Sequence, residues 1–302
     1  MNSIFIVGTV SNVGNKVEKD LNRVISAFCE FKILRVYLVE SDSNDNTINI
    51  LRKMKKKDNK IDYISLGNLR KLIPDRIDRI RYCRNVYINY LRSLSENEYP
   101  DYVAVVDLDG MNSKLTYRAV NSSFSTSDWD VVAANQSGGY YDIFALRADG
   151  WQVGNCFDEL QILKNEIIAK LQTEYKSCSK FQIHKLFDQA RVQAIYSKMR
   201  KIDSSHPWIS VSSAFGGLAI YKSYVFKKFD YENSLKSNNS EHVEFHEKIK
   251  KSGGKIFINP AMINSRWNTY NVNRFFFIRQ IRLYLNNNPY FSCIRSKQLK
   301  KI

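Results

Sequence analysis

The chain has 302 residues, 44% of them apolar and 13% aromatic, which supports a packed core and excludes intrinsic disorder. Its 46 Lys+Arg against 30 Asp+Glu leave a formal charge of +16. An anionic partner is therefore expected, without a choice among nucleic acid, nucleotide sugar and anionic membrane.

In chain order, Ser3 to Val10 reads as a strand and Val17 to Phe31 as a helix with apolar positions at Leu21, Val24, Ile25 and Phe28. Ile33 to Val39 is a second strand, Asn46 to Lys56 a helix and Ile61 to Leu66 a short third strand. Pro74 to Leu94 reads as a long helix with its proline in the first turn, and Tyr102 to Val106 as the fourth strand. Strands alternating with helices predict an α/β fold: a mostly parallel, Rossmann-like sheet with right-handed crossovers.

After Trp129 the expected strands are short: Val131 to Asn135, Tyr141 to Leu146, Ile209 to Val211, Gly217 to Tyr221 and Lys255 to Ile258. Between them, at about 156–205, lies a polar helical insert that reads as an exposed lid or subdomain. With no repeats or low-complexity linkers, 1–265 is expected to form one elaborated domain, followed by a basic, aromatic helical extension over 266–302.

Five cysteines, an odd number without C-x-x-C spacing, exclude a zinc ribbon and argue against a disulfide framework. Cys29 and Cys83 fall in helical apolar patterns and are expected to be core thiols. The first residues pass directly into an apolar strand without a basic leader, and no run reaches the roughly 18 apolar residues of a membrane span. A cytoplasmic protein, soluble or peripheral on the inner face of the membrane, is the expectation.

The chemistry concentrates at the ends of the first four strands, which share one edge of a parallel sheet, where open α/β folds bind ligands. Most informative is Asp107-Leu108-Asp109, two carboxylates at the exit of the apolar strand Tyr102 to Val106. Hard oxygen donors of this kind suit Mg²⁺ or Mn²⁺ carrying the phosphates of an anionic ligand; the alternative is a polar turn closing a strand. Strand one ends near Gly8-Thr9 and strand two in Glu40-Ser-Asp-Ser-Asn-Asp-Asn-Thr47. Asp45 or Asn46 suits an N-cap there, whereas Glu40 can accept hydrogen bonds from a base or ribose. On the long helix, Arg84 and Asn85 sit among residues at core spacing, so a role facing the site is expected, with Arg84 on a phosphate or the carboxylates.

The Glu40 to Thr47 turn, the Arg84-Asn85 helix and the following Asp-x-Asp strand together resemble nucleotide-sugar-dependent glycosyltransferases of the GT-A fold. Tyr140-Tyr-Asp-Ile-Phe-Ala-Leu-Arg147, followed by Gly150-Trp151, is similar to a segment of fungal capsule-associated mannosyltransferases. Ser213 to Tyr221, Ser240 to His246 and Ile258-Asn-Pro260 follow in that family's order. The resemblance runs from about residue 4 to residue 265; residues 155–205 have no counterpart, and mannose as donor is not carried over.

The resemblance implies a divalent cation, Mn²⁺ or Mg²⁺, on Asp109, with Asp107 at the ribose, donor sugar or metal. Thr9, Glu40, Asp45, Arg84, Asn85, Gly216 and Gly217 would line the donor site, and His246 would be a third metal ligand or diphosphate contact. An exposed helix histidine is the alternative for His246. Glu241 would serve as the base or touch the acceptor, its alternative being a helix N-terminal acid favoured by the macrodipole. Asp142, flanked by tyrosine and a predicted strand, would bind a sugar hydroxyl. Tyr141, Arg147 and Trp151 would contact the acceptor, although the two rings suit core packing equally.

The segment Asn273 to Leu285 interleaves Arg274, Arg279 and Arg282 with aromatic and aliphatic residues. It reads either as a packed terminal helix or as a contact to an anionic membrane. Together these features point to a metal-dependent glycosyltransferase that moves a sugar from a nucleotide-sugar donor to a glycan or lipid-linked saccharide in surface polysaccharide biosynthesis. The competing classes are a basic nucleic-acid-binding protein, for which no known binding motif appears and no nucleic-acid partner is expected, and a sugar nucleotidyltransferase, whose Gly-rich signature Gly8 to Gly14 lacks.

Overall fold

A computed structural model describes residues 1–174, 178–231, 238–268, 270–275 and 279. The chain divides into two compact units, Met1–Val153 with Lys201–Arg266, and Gly154–Arg200 with Trp267–Ile302.

The first unit opens with β1 (Ser3–Val10), α1 (Lys16–Ala27), β2 (Lys32–Glu40), α2 (Thr47–Lys57), β3 (Ile61–Ser65), α3 (Arg76–Arg92) and β4 (Tyr102–Val106). These strands pair in parallel, β1 lying between β2 and β4, and β1, β4 and the second half of β2 are mostly buried and rich in β-branched residues. After α4 (Tyr117–Asn121) comes β5 (Val131–Gln136). Among the described residues the sheet has eight strands in the order β3-β2-β1-β4-β7-β5-β8-β6; β6 is Ile209–Ser210, β7 Leu218–Lys222 and β8 Ile256–Ser265. Strand β7 runs antiparallel between β4 and β5, β8 parallel to β5, and β6 antiparallel to β8. The fold is thus the expected mostly parallel α/β sheet flanked by helices.

Alternation along the strands separates two cores. Ile4, Ile6 and Val10 of β1 pack with Val17, Leu21 and Val24 of α1 and Leu51 and Met54 of α2. On the other face Phe5 of β1 and Tyr37 of β2 meet Tyr90 of α3, the two tyrosine rings stacked 4.1 Å apart. Helices α1 and α2 therefore cover one face and α3 the other. The unit closes with two further helices, numbered after the pair in the second unit.

In the second unit, α5 (Cys156–Thr173) and α6 (Lys180–Ala194) pack through Leu160, Ala190 and Ala194, with Leu163 and Ile167 beside them. Ser179 and Gln182 form a capping box at the start of α6, and Arg279 pairs with buried Asp188 at 3.1 Å. The first unit's later helices are α7 (Tyr224–Lys228) and α8 (Glu241–Lys251). Among the described residues no helix is long and apolar enough to cross a membrane.

Three local expectations are corrected. Tyr141 to Leu146 is a succession of turns, not a strand: its buried residues Tyr140, Ile143, Ala145 and Leu146 do not alternate, and Gln136 Oε1 accepts from the Tyr141 N–H at 3.3 Å, curling the chain back. Pro74 precedes α3 instead of entering it, because the Asp75 carboxylate takes the N-cap from the Ile77 and Asp78 amides. Helix α1 ends at Ala27, which leaves Cys29 exposed, whereas Cys83 is buried as expected. Most of the extension expected over 266–302, including Arg282, lies outside the described residues.

Candidate active site

The strand order reverses between β1 and β4, and such a switch point opens a crevice at the carboxyl ends of the strands. Gly8 allows β4 to come close, since a Cβ there would lie 2.5 Å from the Val106 carbonyl. As β4 ends, the Asp107 amide donates to the Gly217 carbonyl at 2.9 Å, which brings the Asp-x-Asp beside the entrance to β7. Gly216 and Gly217 both adopt left-handed φ, +68° and +81°, and a Cβ at Gly216 would meet the Ala134 carbonyl at 2.6 Å. Only glycine combines that φ with that approach.

Arg84 organises the acids. It is 3% exposed, with its guanidinium between the rings of Phe215 at 5.3 Å and Tyr231 at 5.5 Å. Its Nε donates to Glu241 Oε1 at 3.0 Å, and Nη2 lies 3.8 Å from Asp107 Oδ1. Burial alone would weaken its charge; Tyr87, Glu241, Tyr231 and Asp107 more than restore it and hold its pKa well above the ordinary value. The acids, in contrast, are shifted towards their neutral forms. Burial pushes Asp107 upward against the pull of Arg84, helped by the like charges of Asp109, Asp142 and Glu241. Asp109 is raised mainly by burial, opposed by a backbone N–H, Lys16 and Arg76. Asp142 is pushed up to about 6 because burial outweighs the Gly216 and Ala145 amides that it accepts.

Asp109 Oδ1 is buried with no hydrogen-bond partner. A desolvated carboxylate oxygen left unpaired is costly and fits a hard cation. Among the described residues no group of three or more His, Cys, Asp and Glu could hold a metal. The donor set, Asp109 with Asp107, matches Mg²⁺ or Mn²⁺, which takes one or two carboxylates and completes its shell with water and ligand phosphates. It does not match a protein-only zinc cage.

Four polar residues that sequence reasoning missed hold this edge in shape. Asp20 of α1, 4% exposed, accepts from the Gly110 amide at 2.9 Å and the Asn112 amide at 3.2 Å, while Asn112 Nδ2 donates to the Asp107 carbonyl at 2.7 Å. Gln136 and Asn264, at the ends of β5 and β8, both donate to the Gly216 carbonyl, at 2.9 and 2.8 Å. Asp20 did leave a signal, an acid on the apolar stripe of Val17, Leu21 and Val24. His242, also missed, is buried and stacked 3.9 Å from Phe215, with both ring nitrogens unpartnered; burial holds it well below the usual histidine range.

The structure brings Asp107, Asp109, Arg84, Glu241, Asp142, Gly216, Gly217 and Tyr141 together. Glu241 opens α8 as expected, and the Tyr141 hydroxyl would lie 2.9 Å from a Cβ on Gly217. Asp142 sits in a turn, where Oδ2 accepts from the Gly216 amide at 3.0 Å and Oδ1 from Ala145 at 3.3 Å.

His246 is not presented as a ligand. Ser213 Oγ must donate to the Ala145 carbonyl, so it accepts from His246 Nδ1–H at 3.0 Å; Nε2 then accepts from the Tyr221 hydroxyl at 2.9 Å. Both nitrogens are spent inside a fully buried cluster, which corrects the expected metal contact and equally the exposed alternative. Asn85 faces away from the acids and accepts from the Tyr231 amide at 2.8 Å, steadying a ring that caps Arg84. Glu40 closes its own loop, accepting from the Ser43 amide at 2.9 Å and from Ser65 Oγ. Asp45 accepts from the amide and hydroxyl of Thr47 at the start of α2, whose N-cap Asn46 makes no side-chain cap hydrogen bond. Thr9 lies opposite Val39 near the end of β1. Arg147 is buried and donates to the carbonyls of Phe144 and Leu146 and to Asn239, and Trp151 packs edge-on to Tyr140 at 5.4 Å.

No family model matches the chain, and no curated protein matches it. Solved structures with a similar fold include the Pyrobaculum calidifontis mannosyltransferase PcManGT in complex with GDP-Man and Mn²⁺, at 12% identity over 94% of this chain and TM-score 0.47. S. aureus TarS in complex with UDP-GlcNAc is similar at 13% identity over 95% of this chain and 67% of its own, TM-score 0.46. Glucosyl-3-phosphoglycerate synthase from Mycobacterium tuberculosis, with Mn²⁺, UDP and phosphoglyceric acid, is similar at 12% identity, 88% and 67% coverage, and TM-score 0.36. This chain spans 62% of the length of the Pyrobaculum protein. The chemistry of the site rests on this chain's own residues.

Proposed function

We propose that the chain is a GT-A-type glycosyltransferase, using Mn²⁺ or Mg²⁺ to move a sugar from a nucleotide-sugar donor to a hydroxyl of a glycan or lipid-linked saccharide. The observation that carries this reading is the buried, unpartnered Asp109 Oδ1 at the switch point, one residue from Asp107 and beside the Arg84–Glu241 pair.

Asp109 and Asp107 would hold the cation, which when bound supplies positive charge to a departing diphosphate. Arg84 fixes Asp107 from the protein side and adds a second, permanent positive charge. Gly216 and Gly217, lacking side chains, let the turn before β7 close against Ala134 and Tyr141 beside the acids. Asp142 holds that turn and keeps lone pairs for a sugar hydroxyl. Glu241, oriented by Arg84 and by the Ser240 hydroxyl 3.4 Å away, is placed to take a proton from an attacking hydroxyl in an inverting reaction, a contribution of about 10²- to 10⁴-fold.

Thermal-shift and donor-hydrolysis measurements with GDP-, UDP-, CMP- and dTDP-sugars, each with Mn²⁺, Mg²⁺ or EDTA, test the reading. One nucleotide class should stabilise the wild type only when metal is present, and Asp109→Ala should abolish the response. Without metal, Asp109→Ala should be no less stable than wild type, because it removes a desolvated, unpaired carboxylate oxygen. Absence of any nucleotide response under every metal would sink the reading.

A further inference from the structure

Part of the surplus positive charge is concentrated on one layer of the fold. Helix α2 carries Arg52, Lys53, Lys55, Lys56 and Lys57, all exposed, and no acid. Helix α1 packs beside it and exposes Lys19 and Arg23. Lys55 is held by Asp62 of β3 at 2.5 Å. Among the described residues, Lys19, Arg23, Lys53, Lys56 and Lys57 have no ion-pair partner. Between α2 and the sheet edge runs a shallow groove lined by Arg52, Lys55, Lys56, Tyr63, Ile64 and Ser65. Lysines beside an edge strand discourage strand pairing between molecules, but that purpose does not call for cations on the neighbouring helix as well.

We propose that the outer face of the α1–α2 layer docks the protein on an anionic phospholipid surface. The inference is independent of the reading of the Asp-x-Asp site. Two adjacent helices present a lysine-rich face, suited to many diffuse contacts with headgroups. Single-stranded nucleic acid would call for several exposed aromatic platforms and arginine forks in a groove; α1 and α2 expose no aromatic ring, and the groove beside α2 offers one half-buried ring, Tyr63, and one arginine, Arg52. With no large apolar side chain exposed on either helix, the attachment is electrostatic, reversible and screened by salt.

The test is co-sedimentation of the full chain with phosphatidylcholine vesicles, with and without phosphatidylglycerol, at low and raised salt. Three proteins are compared: wild type, the quadruple variant Arg52→Gln, Lys53→Gln, Lys56→Gln, Lys57→Gln, and a tail variant Lys297→Gln, Lys300→Gln, Lys301→Gln. Wild type should bind only the phosphatidylglycerol vesicles, less so in salt. Each removed α2 cation should lower partitioning about five-fold, so the quadruple variant loses more than about a hundredfold, while the tail variant keeps most of its binding. Equal binding of the quadruple variant and wild type, or no preference of wild type for anionic vesicles, overturns the proposal. So does wild type that ignores vesicles and binds a single-stranded RNA through the same lysines.

Discussion

The two faces of the sheet handle positive charge in opposite ways. On α3 four arginines are engaged by acceptors of the protein itself. Arg79 holds Asp42 and the carbonyls of Ile73 and Pro74, and Arg81 holds Asp78 and Glu244. Arg84 holds Glu241 and Asp107, and Arg92 the carbonyls of Phe226 and Phe229. On the α1–α2 face lysines predominate and stand in water. The guanidinium is weakly hydrated and presents a rigid fork that satisfies several acceptors, whereas the ammonium is a strongly hydrated point charge. One face thus spends its cations on architecture around the carboxylates, and the other keeps them for the solvent side. The formal charge of +16 therefore says little about the site.

The comparison breaks most directly at Arg84. Arg84→Met should destabilise by about 3–5 kcal/mol, because Glu241 is left buried without its partner; Arg84→Lys should recover only part of that, having no fork. Denaturant unfolding measures both. A loss under 1 kcal/mol for Arg84→Met would mean that the inward arginine is as dispensable as a surface lysine. Next in size is Asp20→Ala, which strands the Gly110 and Asn112 amides and should cost roughly 1–3 kcal/mol. Its hydrogen-exchange signature should be faster exchange at Gly110 and Asn112, with α2 amides unchanged.

A pH titration sharpens the contrast further. Burial holds His246 down to about 3 in the folded protein, against about 6.5 when unfolded. The unfolded chain alone binds that proton between these values, so this contribution to stability is complete above about pH 6.5 and is lost as pH falls towards 3. The loss approaches about 1.4 kcal/mol per pH unit, and His246→Gln should remove this dependence. A wild-type acid limb that His246→Gln leaves unchanged would contradict the buried neutral imidazole. The smallest effect belongs to the lysine face: the quadruple α2 variant should unfold within about 0.5 kcal/mol of wild type, even as it loses the vesicles.

Elements whose signal is local were legible in advance. The β-branched strand running into Asp107 and Asp109, the alternation of β1 to β4 with helices, and the contact of Asp45 with the first-turn amide of Thr47 all depend on near neighbours in the chain. Arg84 was legible because an arginine among Ile80, Cys83 and Tyr87 cannot be a solvent residue. What failed depended on partners far away. His246 is neutralised as a ligand by Ser213 and Tyr221, and Asn85 is drawn off by the Tyr231 backbone. Glu40 is engaged by Ser65, on the next strand. The aromatic run after Tyr140 looked like a strand because strand and turn use the same residues there; the Gln136 side chain and the Tyr140 hydroxyl contact to the Phe215 amide at 3.2 Å decide for the turn.

By itself the sequence determined the layer architecture, the strand that delivers the acids and the sign of the charge, since periodicity and composition are properties of neighbouring residues. Only the tertiary structure decided which carboxylate oxygen stays unpaired, which arginine is buried between two rings and which lysines are left in water. Those outcomes depend on which distant groups compete for each hydrogen bond once the chain has closed, and a linear order of residues does not record that competition.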